Sequence, residues 1–227
     1  MAVALIAPVG VGGLFTGRIG LLPGESRGSA IAKQALAGPA RIGPEGLEGD
    51  EHADPRAHGG SEKAVHLFPV EHYEALALAF PEARHLHPGG LGENISTRGL
   101  TEENTCIGDI FALGTARLQV AQPRTPCWKI DARCGVEGVA AHVAQHGIAG
   151  WYFRVLTPGE CLAGDALVHL ERPAGAVSLA RFNRTVADHR PALVALERMA
   201  AAPGLTPEWA RRIRERMARL QDLGGGT

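Results

Sequence analysis

The sequence predicts a mostly β protein with short helices: a β-barrel domain over residues 1–172, then a small all-α domain of three helices over 173–227. Three observations carry this reading. Thirty glycines and fifteen prolines, with aromatic residues at only 5%, imply many turns between short elements, as in barrels rather than bundles. In TARLQVAQ (115–122), Leu118 and Val120 alternate with Arg117 and Gln119, so one strand face is buried and the other wet. After ERPAG (171–175) strand-like runs cease and three helix-like segments follow.

Taken in order, VALI (3–6) reads as a first strand and AVHLF (64–68) as another, after the tight turn HGGSEK. In VEHYEALALAF (70–80), Val70, Tyr73, Leu76 and Phe80 recur at helical spacing, and Pro81 ends the helix. GDIFALG and TARLQVAQ form a hairpin turned at Gly114. VEGVAAHVAQHG (136–147) is a second short helix stopped by Gly147. WYFRVL (151–156) and DALVHL (165–170) are strands separated by the turn TPGECLAG. Ser178 and Thr206 are N-cap residues for helices of the tail, the latter followed by Pro207 at the first helical position. The final GGGT reads as a frayed end.

Composition narrows the function. An apolar fraction of 45% and a charged fraction of 21% are those of a globular chain and exclude wholesale disorder. A net charge of −1 argues against non-specific nucleic-acid binding. The four cysteines, Cys106, Cys127, Cys134 and Cys161, form no CxxC pair, which suits free thiols in a reducing compartment. MAVALIAPVGVGGLF lacks the basic flank of a signal peptide, and no run reaches the roughly 18 apolar residues of a membrane span, so a cytoplasmic protein without membrane partners is expected.

Four stretches carry chemistry. In QVAQPRTPCWKI (119–130), Pro123 and Pro126 stiffen a turn that presents Cys127 between Arg124 and Lys129. Nearby positive charge favours a thiolate, the form that attacks electrophiles or binds a soft metal, and spacing alone does not separate nucleophile from ligand. GPEGLEGDEHADPRAHGGSEKAV (43–65) gathers Asp50, His52, Asp54 and His58 in a glycine-crowded loop, where Gly59 and Gly60 suit positive φ or close approach of a ligand. LGENIST (91–97) sets Glu93 and Asn94 before a strand. TGRIGLLPGESRGSAIAK (16–33) mixes Arg18, Arg27 and Lys33 with serine and glycine, a phosphate-binding composition.

Together, GLEGDEHADPRAHGGSEKAVHLF, LGENIST, IGDIFALGTARLQVAQPRTPCWKI and GWYFRVLTPG resemble, in order and spacing, the MOSC domain, named for the C-terminal region of molybdenum cofactor sulfurase. The resemblance spans residues 14–171, and the helical tail is similar to the three-helix domain of the YiiM-type subgroup, associated with resistance to N-hydroxylated purine bases. It implies a MOSC β-barrel that binds the molybdenum cofactor (molybdopterin), with Cys127, the PRTPC cysteine, as the thiolate on the metal. The anionic pterin phosphate would need cationic partners, for which Arg18, Arg27, Lys33, Lys63 and Arg124 are the candidates by charge and loop position; Gly59, Gly60 and Asn94 are expected as further cofactor contacts. The reaction implied is reduction of a small N-hydroxylated compound to the amine, with Asp50, His58 and Glu93 in the proton network. No flavin or nicotinamide motif is present, so a separate flavoprotein donor is implied; pyridoxal phosphate is not expected.

Two other readings compete. The same fold could carry the cofactor, or sulfur on Cys127, without turnover. Alternatively, His52, Asp54 and His58 are the ligands of a metal hydrolase. The tail holds nine arginines and five acids over 178–223, but Trp209, Ile213, Met217 and Leu220 form an apolar stripe that leaves the arginines as a solvated face. Docking of the electron donor, or of a second copy in a homodimer, is therefore expected of the tail in preference to DNA binding.

Overall fold

Alternating apolar runs, broken by glycine and proline, close into a barrel. The structure, a computed structural model, describes residues 6–224. The strand expected at 3–6 lies, apart from Ile6, outside the described residues, as do residues 225–227 of the expected frayed end. The first strand described is β1 (Val9–Thr16). The loop after it holds a small ribbon, β2 (Gly20–Leu21) with β3 (Gly28–Ser29), then β4 (Gln34–Ala35) beside the end of β1. A short hairpin, β5 (Ala40–Gly43) and β6 (Gly46–Leu47), precedes the single turn α1 (Pro55–His58). Then come β7 (Val65–Pro69), α2 (Val70–Ala79) and β8 (Ile95–Thr97). The expected hairpin is β9 (Ile110–Leu113) with β10 (Ala116–Pro123), turned at Gly114, whose φ is 55°. Helices α3 (Lys129–Cys134) and α4 (Val139–His146) lead to β11 (Trp151–Thr157), β12 (Gly159–Cys161) and β13 (Ala166–Glu171).

Seven strands run β13-β9-β10-β11-β7-β8-β1, and β1 pairs back with β13 to close the barrel. Of the barrel pairings only β7–β8 is parallel, and the crossover that a parallel pair requires is supplied by α2 and its following loop. Period-two alternation fills the interior. Leu118 and Val120 of β10 are fully buried, as are Trp151 and Phe153 of β11 and Phe111 and Leu113 of β9. Each such side chain contributes about 1.5–3 kcal/mol by leaving water.

A second apolar cluster lies outside the barrel. Phe68, Tyr73, Leu76, Leu91, Ile130, Val139 and Val143 pack α2, α3 and α4 together beside β7. α3 follows Cys127 closely; at six residues it is too short to show an apolar period in the sequence.

The tail forms the three expected helices, α5 (Leu179–Ala187), α6 (Leu193–Ala200) and α7 (Pro207–Gly224). Ser178 caps α5 by accepting from the Arg181 amide. Phe182, Leu196, Met199 and Ile213 belong to the same buried cluster as the barrel interior, with Trp209, Met217 and Leu220 packed against it. At the junction, Arg172 pairs with the fully buried Asp109.

Candidate functional site

The site starts from strand register. Gln122 of β10 stands opposite Tyr152 of β11, which stands opposite His66 of β7. Their neighbours Trp151 and Phe153 point inward, so alternation turns this three-strand row onto the outer barrel face. His66 and Tyr152 lie ring to ring at 5.1 Å.

β10 ends at Pro123, and the turn that follows crosses this row. The Arg124 amide donates to Gly150 O at 3.1 Å, and Arg124 Nη2 donates to Leu91 O at 2.9 Å. Cys127 is then held from the far side, where the Ile130 amide donates to its carbonyl at 3.0 Å and Ile130 sinks into the second apolar cluster. The thiol is half-buried, whereas Cys106, Cys134 and Cys161 are buried.

Asp50 gathers three separate stretches of chain. Its carboxylate accepts from the Gly17 amide at 2.7 Å, from Asn94 Nδ2 at 2.8 Å and from Lys33 Nζ. Asn94 in turn accepts from the His66 amide at 2.9 Å through Oδ1. One buried carboxylate thus fixes the lysine and, through one amide, the start of β7 and β8.

These pieces enclose a narrow compartment of about 70 Å³ whose lining includes Lys33, His58, Lys63, Arg124, Cys127 and Lys129. At Cys127, His58, Lys63 and Tyr152 it meets a wider one of about 340 Å³. Cations dominate the narrow part. Burial pushes the His58 imidazole down to about 4, helped by Lys129 and Arg124 and opposed by Asp54. Burial likewise holds His66 well below its usual value and lowers Lys33, the latter opposed by Asp50. Burial raises the Tyr152 phenol, with Arg124 pulling the other way. Arg124 Nη1 is buried without a hydrogen-bond partner. Buried polar atoms are normally satisfied, so this cationic donor is available to pair with an anionic group in the compartment.

The MOSC domain model matches residues 54–168. The chain is 37% identical over 205 residues to the protein YiiM of Escherichia coli (strain K12), covering 89% of this chain and 90% of that one. It superposes on the crystal structure of YiiM from Geobacillus stearothermophilus with a TM-score of 0.79 at 30% identity, covering 92% of this chain and 100% of that one. The chain belongs to the MOSC domain family, in its YiiM-type group. That family is linked to molybdenum cofactor biology. A further relative, named a reductase, from Gibberella moniliformis (strain M3125 / FGSC 7600), is 40% identical over 174 residues, which span 75% of this chain but 31% of that protein.

Of the residues singled out in the sequence, the MOSC fold brings Cys127, His58, Lys33, Lys63, Asn94 and Arg124 to one compartment. Asp50 stands behind it as the anchor of Lys33. Glu93 is fully buried elsewhere: its Oε1 accepts from Tyr73 Oη at 2.7 Å, the Gly89 amide at 2.6 Å and Ser96 Oγ at 2.9 Å. Arg18 points outward and pairs with Glu51, and Arg27 stacks over the Trp128 ring at 4.6 Å. Gly60 has the expected positive φ, 87°. At Gly59 the need is close approach, since a Cβ there would sit 3.1 Å from His52 Cγ. Among the described residues no three His, Cys, Asp or Glu side chains converge to hold a metal, so His52, Asp54 and His58 do not form the hydrolase ligand set. Lys129, read from the sequence as a cation flanking Cys127, lines the compartment too, whereas His66 and Tyr152 were missed as lining residues. Tyr152 was within reach: in the strand WYFRVL it alternates with the core residues Trp151 and Phe153.

Proposed function

We propose that this protein is a molybdenum-cofactor-dependent reductase of N-hydroxylated compounds. The observation that carries the reading is the position of Cys127, at the meeting of a cationic compartment and a wider one. The balance is R–NHOH + 2 e⁻ + 2 H⁺ → R–NH₂ + H₂O.

The residues present fit the cofactor. Arg124, with its unpaired Nη1, and Lys63 and Lys129 would hold the pterin phosphate, and Cys127 Sγ would be the single protein ligand of the metal. Cys127 would supply a soft thiolate donor to the metal. When bound, the cofactor would supply the two electrons for cleavage of the N–O bond. The protein aims the substrate and manages protons. His58, Lys63 and Tyr152 line both compartments beside Cys127; with Lys63 assigned to the phosphate, His58 and Tyr152 would serve the departing oxygen. Burial raises the Tyr152 phenol, so as the neutral phenol it would donate a hydrogen bond there. Asp50 orients Lys33, and Glu93 braces the loop that carries Asn94.

The electrons come from a separate flavoprotein. A relative named as a reductase supports the reaction type. The test is reduction of an N-hydroxylated purine base by cofactor-loaded protein with a chemical electron donor such as reduced methyl viologen. Formation of the amine, abolished in Cys127→Ala, is expected. Loaded protein that produces no amine leaves a carrier.

A further inference from the structure

The wider compartment is walled on one side by the helical tail. Its lining joins His58, Cys127 and Tyr152 of the barrel to Glu208, Trp209 and Arg212 of α7. That placement is registered to the cysteine turn by two bonds from the residue ahead of α7. The Thr206 amide donates to Ala121 O at 3.2 Å, and Thr206 Oγ1 donates to Gln122 Oε1 at 3.0 Å. Ala121 and Gln122 are the last β10 residues before Pro123, so α7 and Cys127 are hung from the same strand end.

The chemistry of this wall differs from that of the cationic compartment. Trp209 is half-buried, meets Phe182 edge-on at 5.3 Å and carries the Arg212 guanidinium over its ring at 4.9 Å. Glu208 is exposed and lies 3.9 Å from Arg212. A guanidinium plane backed by indole stacks on flat heterocycles, and a carboxylate beside it accepts from ring or amino N–H groups. A phosphate would be repelled by Glu208 and attracted to Lys63, Lys129 and Arg124.

We infer that the α7 face formed by Glu208, Trp209 and Arg212 is the substrate-selecting wall of the Cys127 cleft, and that it takes planar, uncharged heteroaromatic rings bearing N–H donors. The inference rests on the proposed reductase reading for the identity of the reacting group, but the binding surface stands apart from turnover. Trp209, Glu208 and Arg212 thereby act as specificity-determining residues, each more than a fold element of the tail.

The experiment compares Trp209→Leu and Glu208→Gln with the cofactor-loaded parent, measuring molybdenum content, adenine binding by calorimetry, and KM and kcat for N6-hydroxyadenine and for hydroxylamine itself. Expected are unchanged molybdenum, at least a tenfold loss of adenine affinity and a matching rise in KM for the N-hydroxylated base. Kinetics with hydroxylamine, too small to reach α7, stay as in the parent. Because Glu208 is exposed, its variant folds even if removal of Trp209 loosens the tail. Unchanged adenine affinity in both variants overturns the inference, as does loss of molybdenum in both, which would assign the wall to the cofactor. If the parent reduces neither compound, the reductase reading fails while adenine binding still decides the wall.

Discussion

Asn94 Nδ2 donates to the Asp50 carboxylate at 2.8 Å, and this bond ties the loop before β8 to the loop before α1 at the edge of the site. The same carboxylate holds Lys33, whose side chain is 6% exposed against 1% for Asp50. Removing one partner of a buried pair leaves the other charge uncompensated. Asp50→Asn is therefore expected to lower unfolding free energy by about 3–5 kcal/mol, measured by urea denaturation. Adding Lys33→Met to Asp50→Asn should recover part of that loss, because no lone buried charge remains and the Asn oxygen can still accept from the Gly17 amide. Equal losses in the single and double variants would contradict the pairing.

Acid should weaken the fold through its histidines. His58 has a value depressed from 6.5 to about 4 in the folded chain, so below 6.5 the unfolded chain takes up the proton first. The stabilising contribution is present above 6.5 and is lost as pH falls from 6.5 to about 4; His66 acts in the same direction. Thermal unfolding followed from pH 7 to pH 4 should show a smaller decline for His58→Asn than for the parent. A parallel decline would mean that His58 is not held neutral.

Thiol labelling should be selective. Cys134 and Cys161 are buried and their thiols are raised to about 11, and Cys106 is raised as well. Only thiolates react, so at pH 7.5 iodoacetamide should modify Cys127 well before the other three, read by peptide mass spectrometry. Rapid labelling of Cys134 or Cys161 would show that the second cluster or the β5–β12 edge opens in solution.

Local patterns made much of this legible. Alternation in β10 and β11, the Pro81 stop after α2, the Gly114 turn and the Ser178 cap all follow from short-range sterics and hydrogen bonding, and each is visible in a window of ten residues. The motif around Cys127 was legible because proline and charge mark it. What was not legible depends on register between distant strands. Nothing near Tyr152 in sequence says that His66 and Gln122 lie beside it, since that row arises from pairing across the barrel. Arg18 and Arg27 have the composition of phosphate binders; what the sequence does not show is that Arg18 pairs with Glu51 and that Arg27 lies over the Trp128 ring. Glu93 reads as a site carboxylate beside Asn94, but one residue of displacement along the chain turns it toward Tyr73 and Ser96. The wall contributed by α7 required knowing that Thr206 hangs from Gln122, a bond between residues far apart in sequence.

Cys127 is proposed to hold the metal of a pterin cofactor. The most direct test is molybdenum per chain, by elemental analysis, in protein expressed in a host competent for cofactor synthesis, beside Cys127→Ala. Near-stoichiometric molybdenum in the parent and its loss in the variant is the predicted result. Equal molybdenum in both, or none in either, would contradict it.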